Sequence, residues 1–242
     1  MPAYDCAFAL HITPLLPTGK VGTRPGPLLA SADFFEATVV GKGGHASMPH
    51  DCRDPIPVAC EIVQALQTFV TREIPVSDPV VLTVAQIASG TTNNVIPEMA
   101  TISGTIRSLS ERSRERAHEG LHRVIEGVAK AHGLAADVNL KIGYPVTSND
   151  VGFEAFARGV ASELLGERGV FNFPAPVMGA EDFSYVLNEK PGAMFFLGVR
   201  PPGVDDPAPC HSNRMMLDEE GMAYGTALYA SVAMRFLEQG GL

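Results

Sequence analysis

The chain has 242 residues, 45% hydrophobic and 19% charged, which is enough apolar surface for one large globular domain or two modest ones. Its net charge of −9, from 18 Lys and Arg against 27 Asp and Glu, argues against a nucleic-acid binder, which needs clustered basic side chains to displace counterions. No apolar run approaches the roughly 20 residues required to cross a bilayer, so no membrane partner is expected. The first residues lack a basic n-region, and Asp5 and His11 interrupt their apolar stretch; no secretory leader is expected, and a cytoplasmic protein is the default.

In chain order, residues 6–10 are a nearly continuous apolar run ending at His11, the pattern of a strand buried on both faces. Residues 14–27, with four prolines and three glycines, predict an irregular linker. Residues 33–40 read as a strand, and a Gly-rich loop follows over 41–50. Asp54 before Pro55 is a helix start, and Ile56, Ala59, Cys60, Val63, Leu66 and Val70 define its apolar face. Strands are predicted over 80–87 and 101–107. Ser110 caps a second helix with Ala117, Leu121, Val124, Ile125 and Val128 on one face, and Gly133 stops it. Its charged side, Arg114 included, reads as solvated, with His118, His122 and His132 as surface residues.

Val138, Leu140 and Ile142 alternate with polar residues and complete a β-α-β-β-α-β order, the ferredoxin-like split unit, over residues 31–144. An α/β pattern then returns. It comprises a helix begun by Asn149 or Asp150, an apolar strand over 193–197, and a final helix capped by Asp218 and running to about Phe236. The expected architecture is an α/β domain from residues 1–30 and 145–242, interrupted by an α+β insertion at 31–144.

Four cysteines, Cys6, Cys52, Cys60 and Cys210, sit in no Cys-x-x-Cys pattern, and each reads as a small buried hydrophobe. His11 ends a predicted strand, the position where open α/β sheets gather their sites, although in isolation a structural role suits it slightly better. His211 follows Cys210 in a Pro-rich loop; two isolated histidines are weak grounds for a metal site, since they fill only half of a four-coordinate shell. His45 lies in Gly43-Gly-His-Ala-Ser47, a loop that presents a side chain or simply turns. Asn94 offers an amide and Arg107 a fork that fits a carboxylate, or both serve the local structure. Glu181 and Asp182 are adjacent loop carboxylates that need not face one another. No Gly-x-Ser-x-Gly, Walker or His-Glu-x-x-His motif occurs.

Six strings occur in register: Phe8-Ala-Leu-His11 with Pro17-Thr-Gly19, Gly43-Gly-His-Ala-Ser47, Asn94-Val-Ile-Pro97, Gly104-Thr-Ile-Arg107, Gly179-Ala-Glu-Asp-Phe183 and His211-Ser212. Together they resemble the aminoacylase/carboxypeptidase superfamily of dinuclear metallohydrolases, in the branch of hippurate hydrolase and the plant indole-acetyl-amino-acid hydrolases. The resemblance runs essentially end to end. It implies a partial α/β catalytic domain with a phosphorylase/hydrolase-like mixed sheet and an inserted ferredoxin-like α+β lid that dimerises. It further implies two divalent ions (zinc, manganese or cobalt) in the complete enzyme. His11 and His211 match metal ligands, and His45 matches a lid histidine that reaches into the partner's site and steadies a tetrahedral intermediate. Asn94 and Arg107 match substrate-holding residues, Arg107 through a carboxylate. Glu181 has a counterpart near the site.

The superfamily's remaining ligands, a Cys-x-His pair and a Glu, and its general-base Glu have no match in this sequence. The expectation is therefore a truncated product or fragment with little hydrolysis of its own. The expected function is hydrolysis of the amide bond of N-acyl amino acids, hippurate-like, by a lid-linked homodimer. The rival expectations are a di- or carboxypeptidase of the same superfamily, a non-catalytic dimerising fragment, and an unstable fragment whose first strand leaves an associating sheet edge.

Overall fold

The computed structural model describes residues 4–241. Its strands are β1 (Ala7–Pro17), β2 (Val21–Thr23), β3 (Gly26–Leu29), β4 (Ala32–Val40), β5 (Gly44–His45), β6 (Val80–Ser89), β7 (Val95–Ile96), β8 (Met99–Ser108), β9 (Ala135–Tyr144), β10 (Thr147–Asn149), β11 (Val170–Asn172) and β12 (Gly192–Arg200). The α-helices are α1 (Pro55–Glu73), α2 (Glu111–Ala131), α3 (Val151–Leu165), α4 (Ser184–Glu189) and α5 (Gly221–Glu238). They fall into two compact units. The first takes the chain up to Leu29, Thr147–Val177 and everything from Glu181 on; the second takes Ala30–Val146 with Met178–Ala180.

In the first unit a four-stranded mixed sheet has the order β1-β12-β2-β11. The partner of β1 is β12, parallel and nearly two hundred residues away, with Leu10 opposite Phe195 and His11 opposite Phe196. β12 is buried along almost its whole length, as its unbroken apolar sequence requires. β1 is different: its residues 7–11 are half-buried and Ile12 is exposed, because β1 has neighbours on one side only among the described residues. The linker predicted over 14–27 is strand for much of its length. Pro14 and Pro17 lie where the β1–β12 register breaks, between Thr13 and Pro17, so a missing N–H there interrupts little regular ladder. Helices α3 and α5 bury Phe153, Ala157, Val160, Leu228 and Val232 in the core that Phe195 and Leu197 share. Asp150 rather than Asn149 caps α3, its carboxylate accepting the Phe153 N–H at 2.7 Å, while Asn149 ends β10.

The second unit has the order β6-β8-β4-β9, antiparallel throughout, with α1 and α2 packed on it. Phe35, Ala37 and Val39 alternate inward with Ile102 and Ile106 and meet Ile62, Leu66, Phe69, Leu121 and Ile125 of the helices. Asp54 caps α1 as expected, its Oδ1 accepting the Ile56 N–H at 3.0 Å. The buried stripe of α1 differs from the expected one: it runs through Val58, Ala59, Ile62, Leu66 and Phe69, leaving Ile56 exposed. Cys60 is exposed too, against the expectation of a buried hydrophobe; Cys52 is buried, and Cys6 and Cys210 are half-buried. At the helix crossing, a side chain on Gly120 would stand 2.0 Å from the Phe69 ring, so only glycine lets α1 and α2 approach so closely.

Arg114 and His118 correct the expectation of a solvated α2 surface. Asp33, wholly buried, accepts two hydrogen bonds from Arg114 (2.7 and 2.8 Å), one from His118 Nε2 (2.8 Å) and one from the Gly143 N–H (2.9 Å). Burial alone would push the Asp33 carboxyl up, but these donors and the guanidinium charge hold it well below the usual carboxylate range. The first unit also buries a carboxylate, Glu154 on α3. Neither of its oxygens has a hydrogen-bond partner of good geometry, and Arg158 Nη2 approaches one of them at 3.2 Å as an ion pair only. Burial pushes this carboxyl up, and the Arg158 charge and the nearby Thr23 hydroxyl only partly oppose it.

Candidate functional site

The C-terminal stretch of β1 presents His11 half-exposed. Its Nδ1 lies 2.7 Å from the carbonyl oxygen of Ile12. A carbonyl only accepts, so Nδ1 carries a proton, and in the neutral form of the ring the lone pair is on Nε2. That is the orientation of metal-binding histidines, whose second nitrogen is commonly anchored to a backbone carbonyl. Nε2 faces Glu181 Oε2 at 3.8 Å. Glu181 is itself fixed: its carbonyl accepts the hydroxyl of buried Ser184 at 2.6 Å, and its Oε1 accepts the Asp182 N–H at 3.1 Å. The Ile12 carbonyl also receives the Cys210 thiol, at 3.6 Å. That contact ties the 201–220 loop, and with it His211, to the strand that carries His11. His211 is exposed, with a backbone φ of 68°, the one non-glycine in the left-handed region among the described residues.

In the second unit β5 pairs with β7 so that His45 stands opposite Val95, and the Ala46 N–H donates to the Asn94 carbonyl at 3.1 Å. His45 and Asn94, forty-nine positions apart in sequence, are therefore neighbours. The Ser47 N–H donates to His45 Nδ1 at 3.1 Å, and its hydroxyl lies 2.7 Å from the same atom. Here Nδ1 holds the lone pair and the proton is on Nε2, the opposite tautomer to His11: an exposed ring poised to donate. Asn94 Oδ1 accepts the Thr92 hydroxyl at 3.2 Å, which orients the amide N–H groups the other way.

Arg107 does not join this pair. The β5–β7 ladder prolongs the β4–β8 ladder, since the Gly41 N–H still donates to Glu98 just beyond the last β4–β8 pair, Val40 opposite Met99. Arg107 lies eight residues from Met99 in the other direction, about 26 Å along the strand. One of its guanidinium nitrogens donates to the Met178 carbonyl at 3.2 Å.

His11 and Glu181 suit a divalent cation chemically, one neutral imidazole nitrogen beside one carboxylate oxygen. No group of three or more His, Cys, Asp or Glu side chains is gathered for such an ion among the described residues. Sequence reasoning picks out both His11 and Glu181 but not their approach, and it misses the Ile12 carbonyl that orients the His11 ring. The approach of Glu181 to His11 leaves no local signal, because the two are far apart in sequence.

This geometry sits in a chain with clear relatives. Residues 2–235 match peptidase family M20/M25/M40, and the chain belongs to that family. It is 35% identical to thermostable carboxypeptidase 2 of Saccharolobus solfataricus, covering 98% of this chain and 59% of that one. It is 37% identical to IAA-amino acid hydrolase ILR1-like 4 of Arabidopsis thaliana, over 95% and 53% of the respective lengths. Among solved structures it resembles a dinuclear metal-binding peptidase of the M20 family from Bacillus subtilis, at 29% identity and a TM-score of 0.78, covering 97% of this chain and 58% of that one. The chain thus spans little more than half the length of the relatives it matches. No helix among the described residues is long and apolar enough to cross a membrane.

Proposed function

We propose that this chain is part of a metal-dependent amidohydrolase that cleaves the amide bond of N-acyl amino acids such as hippurate. The observation that carries the reading is His11, whose Nδ1–H is anchored on the Ile12 carbonyl so that Nε2 is presented as a ligand atom. On this reading His11 and His211 contribute to a site for two divalent ions (zinc, manganese or cobalt), in keeping with the dinuclear metal binding of the Bacillus subtilis peptidase. Ions held there would supply Lewis acidity to polarise the acyl carbonyl and to lower the pKa of a water. Further ligands must join the two histidines, because the described residues gather no three-donor cluster.

His45 acts as the oxyanion donor, a role its Nε2–H tautomer suits, with the Asn94 amide beside it. Arg107 receives the substrate carboxylate. A small N-acyl amino acid cannot touch both Asn94 and Arg107 of one copy across the length of β8. The reading therefore includes a homodimer in which His45 and Asn94 of the 31–144 lid serve the partner's site. Carboxypeptidase action is the second reading, favoured by the Saccharolobus solfataricus relative. Cytoplasmic localisation goes with the small-molecule substrate.

A substrate panel on the protein in its natural length tests this. Metal-dependent release of the amino acid from hippurate and indole-acetyl conjugates is expected, with peptides slower. His45→Ala should lower kcat about 100-fold or more at unchanged metal content. Hydrolysis that survives complete chelation, or is indifferent to His45→Ala, would sink the reading.

A further inference from the structure

We infer that Glu181 is a cation ligand that shares an ion with His11, an inference that rests on the proposed metal-site reading and adds to it a residue outside the two histidines. Two groups of metal-ligand type face each other here. His11 Nδ1 carries a proton toward the Ile12 carbonyl at 2.7 Å, and this ring orientation turns Nε2 toward Glu181 Oε2 at 3.8 Å. An imidazole nitrogen and a carboxylate oxygen are both ordinary ligand atoms for zinc-like ions. The separation is too long for a hydrogen bond. It matches what an ion bonded to both atoms at about 2.0–2.2 Å spans when the angle at the ion is wider than tetrahedral.

The carboxylate is also held for the purpose. The Glu181 carbonyl accepts the Ser184 hydroxyl at 2.6 Å from a wholly buried side chain, and a second hydroxyl, from Thr147, at 3.5 Å. Its Oε1 accepts the Asp182 N–H at 3.1 Å, which turns Oε2 to the imidazole. Asp182, next in sequence, is exposed and makes no such approach to His11.

Mn²⁺ binding to the metal-stripped chain, followed by calorimetry, tests this without any assay of hydrolysis. Glu181→Gln is expected to weaken Mn²⁺ about tenfold or more, as is His11→Ala, while Asp182→Asn binds like wild type. Glu181→Gln binding as tightly as wild type, with His11→Ala weakened, overturns Glu181 as a ligand and leaves His11 standing. Unweakened binding by both, or none by wild type, overturns the metal-site reading and this inference together. Zn²⁺ titration of the unaltered chain by NMR reads the same point should Glu181→Gln fail to fold. The His11 ring ¹⁵N and Glu181 carboxyl ¹³C signals should move together, and a Glu181 signal that stays put while His11 shifts overturns the inference.

Discussion

The two units each bury one carboxylate completely and treat it in opposite ways. Asp33 meets four donated hydrogen bonds and a guanidinium, so its ionised form belongs to the folded state. Glu154 meets one off-angle cation and no hydrogen bond of good geometry, so its ionised form is a burden. Burial alone therefore does not decide what a charge does to a fold; the partners do. The signs follow. Asp33, with its folded pKa depressed, contributes stability that is present above the ordinary carboxylate range and is lost as pH falls below about 4. Glu154, with its folded pKa raised, favours the fold below the ordinary Glu value of 4.5, and that contribution fades as pH rises.

Asp33→Asn breaks the contrast most directly, because it leaves buried Arg114 with only the exposed Glu111 carboxylate, at 3.1 Å, as counter-charge. A loss of about 3–5 kcal/mol is expected in urea unfolding, with hydrogen exchange rising first in α2 and β4. Gly120→Ala sharpens the contrast as a control that carries no charge. Driving a methyl group into the Phe69 ring should cost about 1–3 kcal/mol while the shape of the pH profile stays that of wild type. The smallest effect is expected from Glu154→Gln, which should flatten the fall in Tm as pH rises above the ordinary Glu value of 4.5. A wild-type slope retained in that variant would mean that Glu154 is not the group responsible.

What is legible in the sequence is local. Asp54 before Pro55 announces α1, Ser110 announces α2, and the alternation of residues 138, 140 and 142 announces β9, because caps and side-chain parity are settled within a few residues. The stripe of α1 is easily misread because Ile56 and Cys60 keep helical spacing with residues that do face the sheet, and spacing alone cannot locate the sheet. Arg114 misleads because its partner is eighty-one positions away. Yet it stands three before Ala117 and seven before Leu121, on the buried row. The candidate site is legible as a set of residues and illegible as an arrangement. The order of motifs points to His11, His45, Asn94, Arg107 and His211. The pairing of His45 with Asn94, the remoteness of Arg107 and the approach of Glu181 to His11 all depend on ladders and loops that close over long separations.

The margin of the first unit's sheet has its own consequence. The Leu10 N–H that points away from β12 donates to the Tyr229 hydroxyl at 2.8 Å, Pro14 has no N–H, and the Leu15 N–H is taken by Thr13 Oγ1 at 3.2 Å. Among the described residues these contacts leave fewer outward N–H groups on β1 free to start a ladder with an added strand.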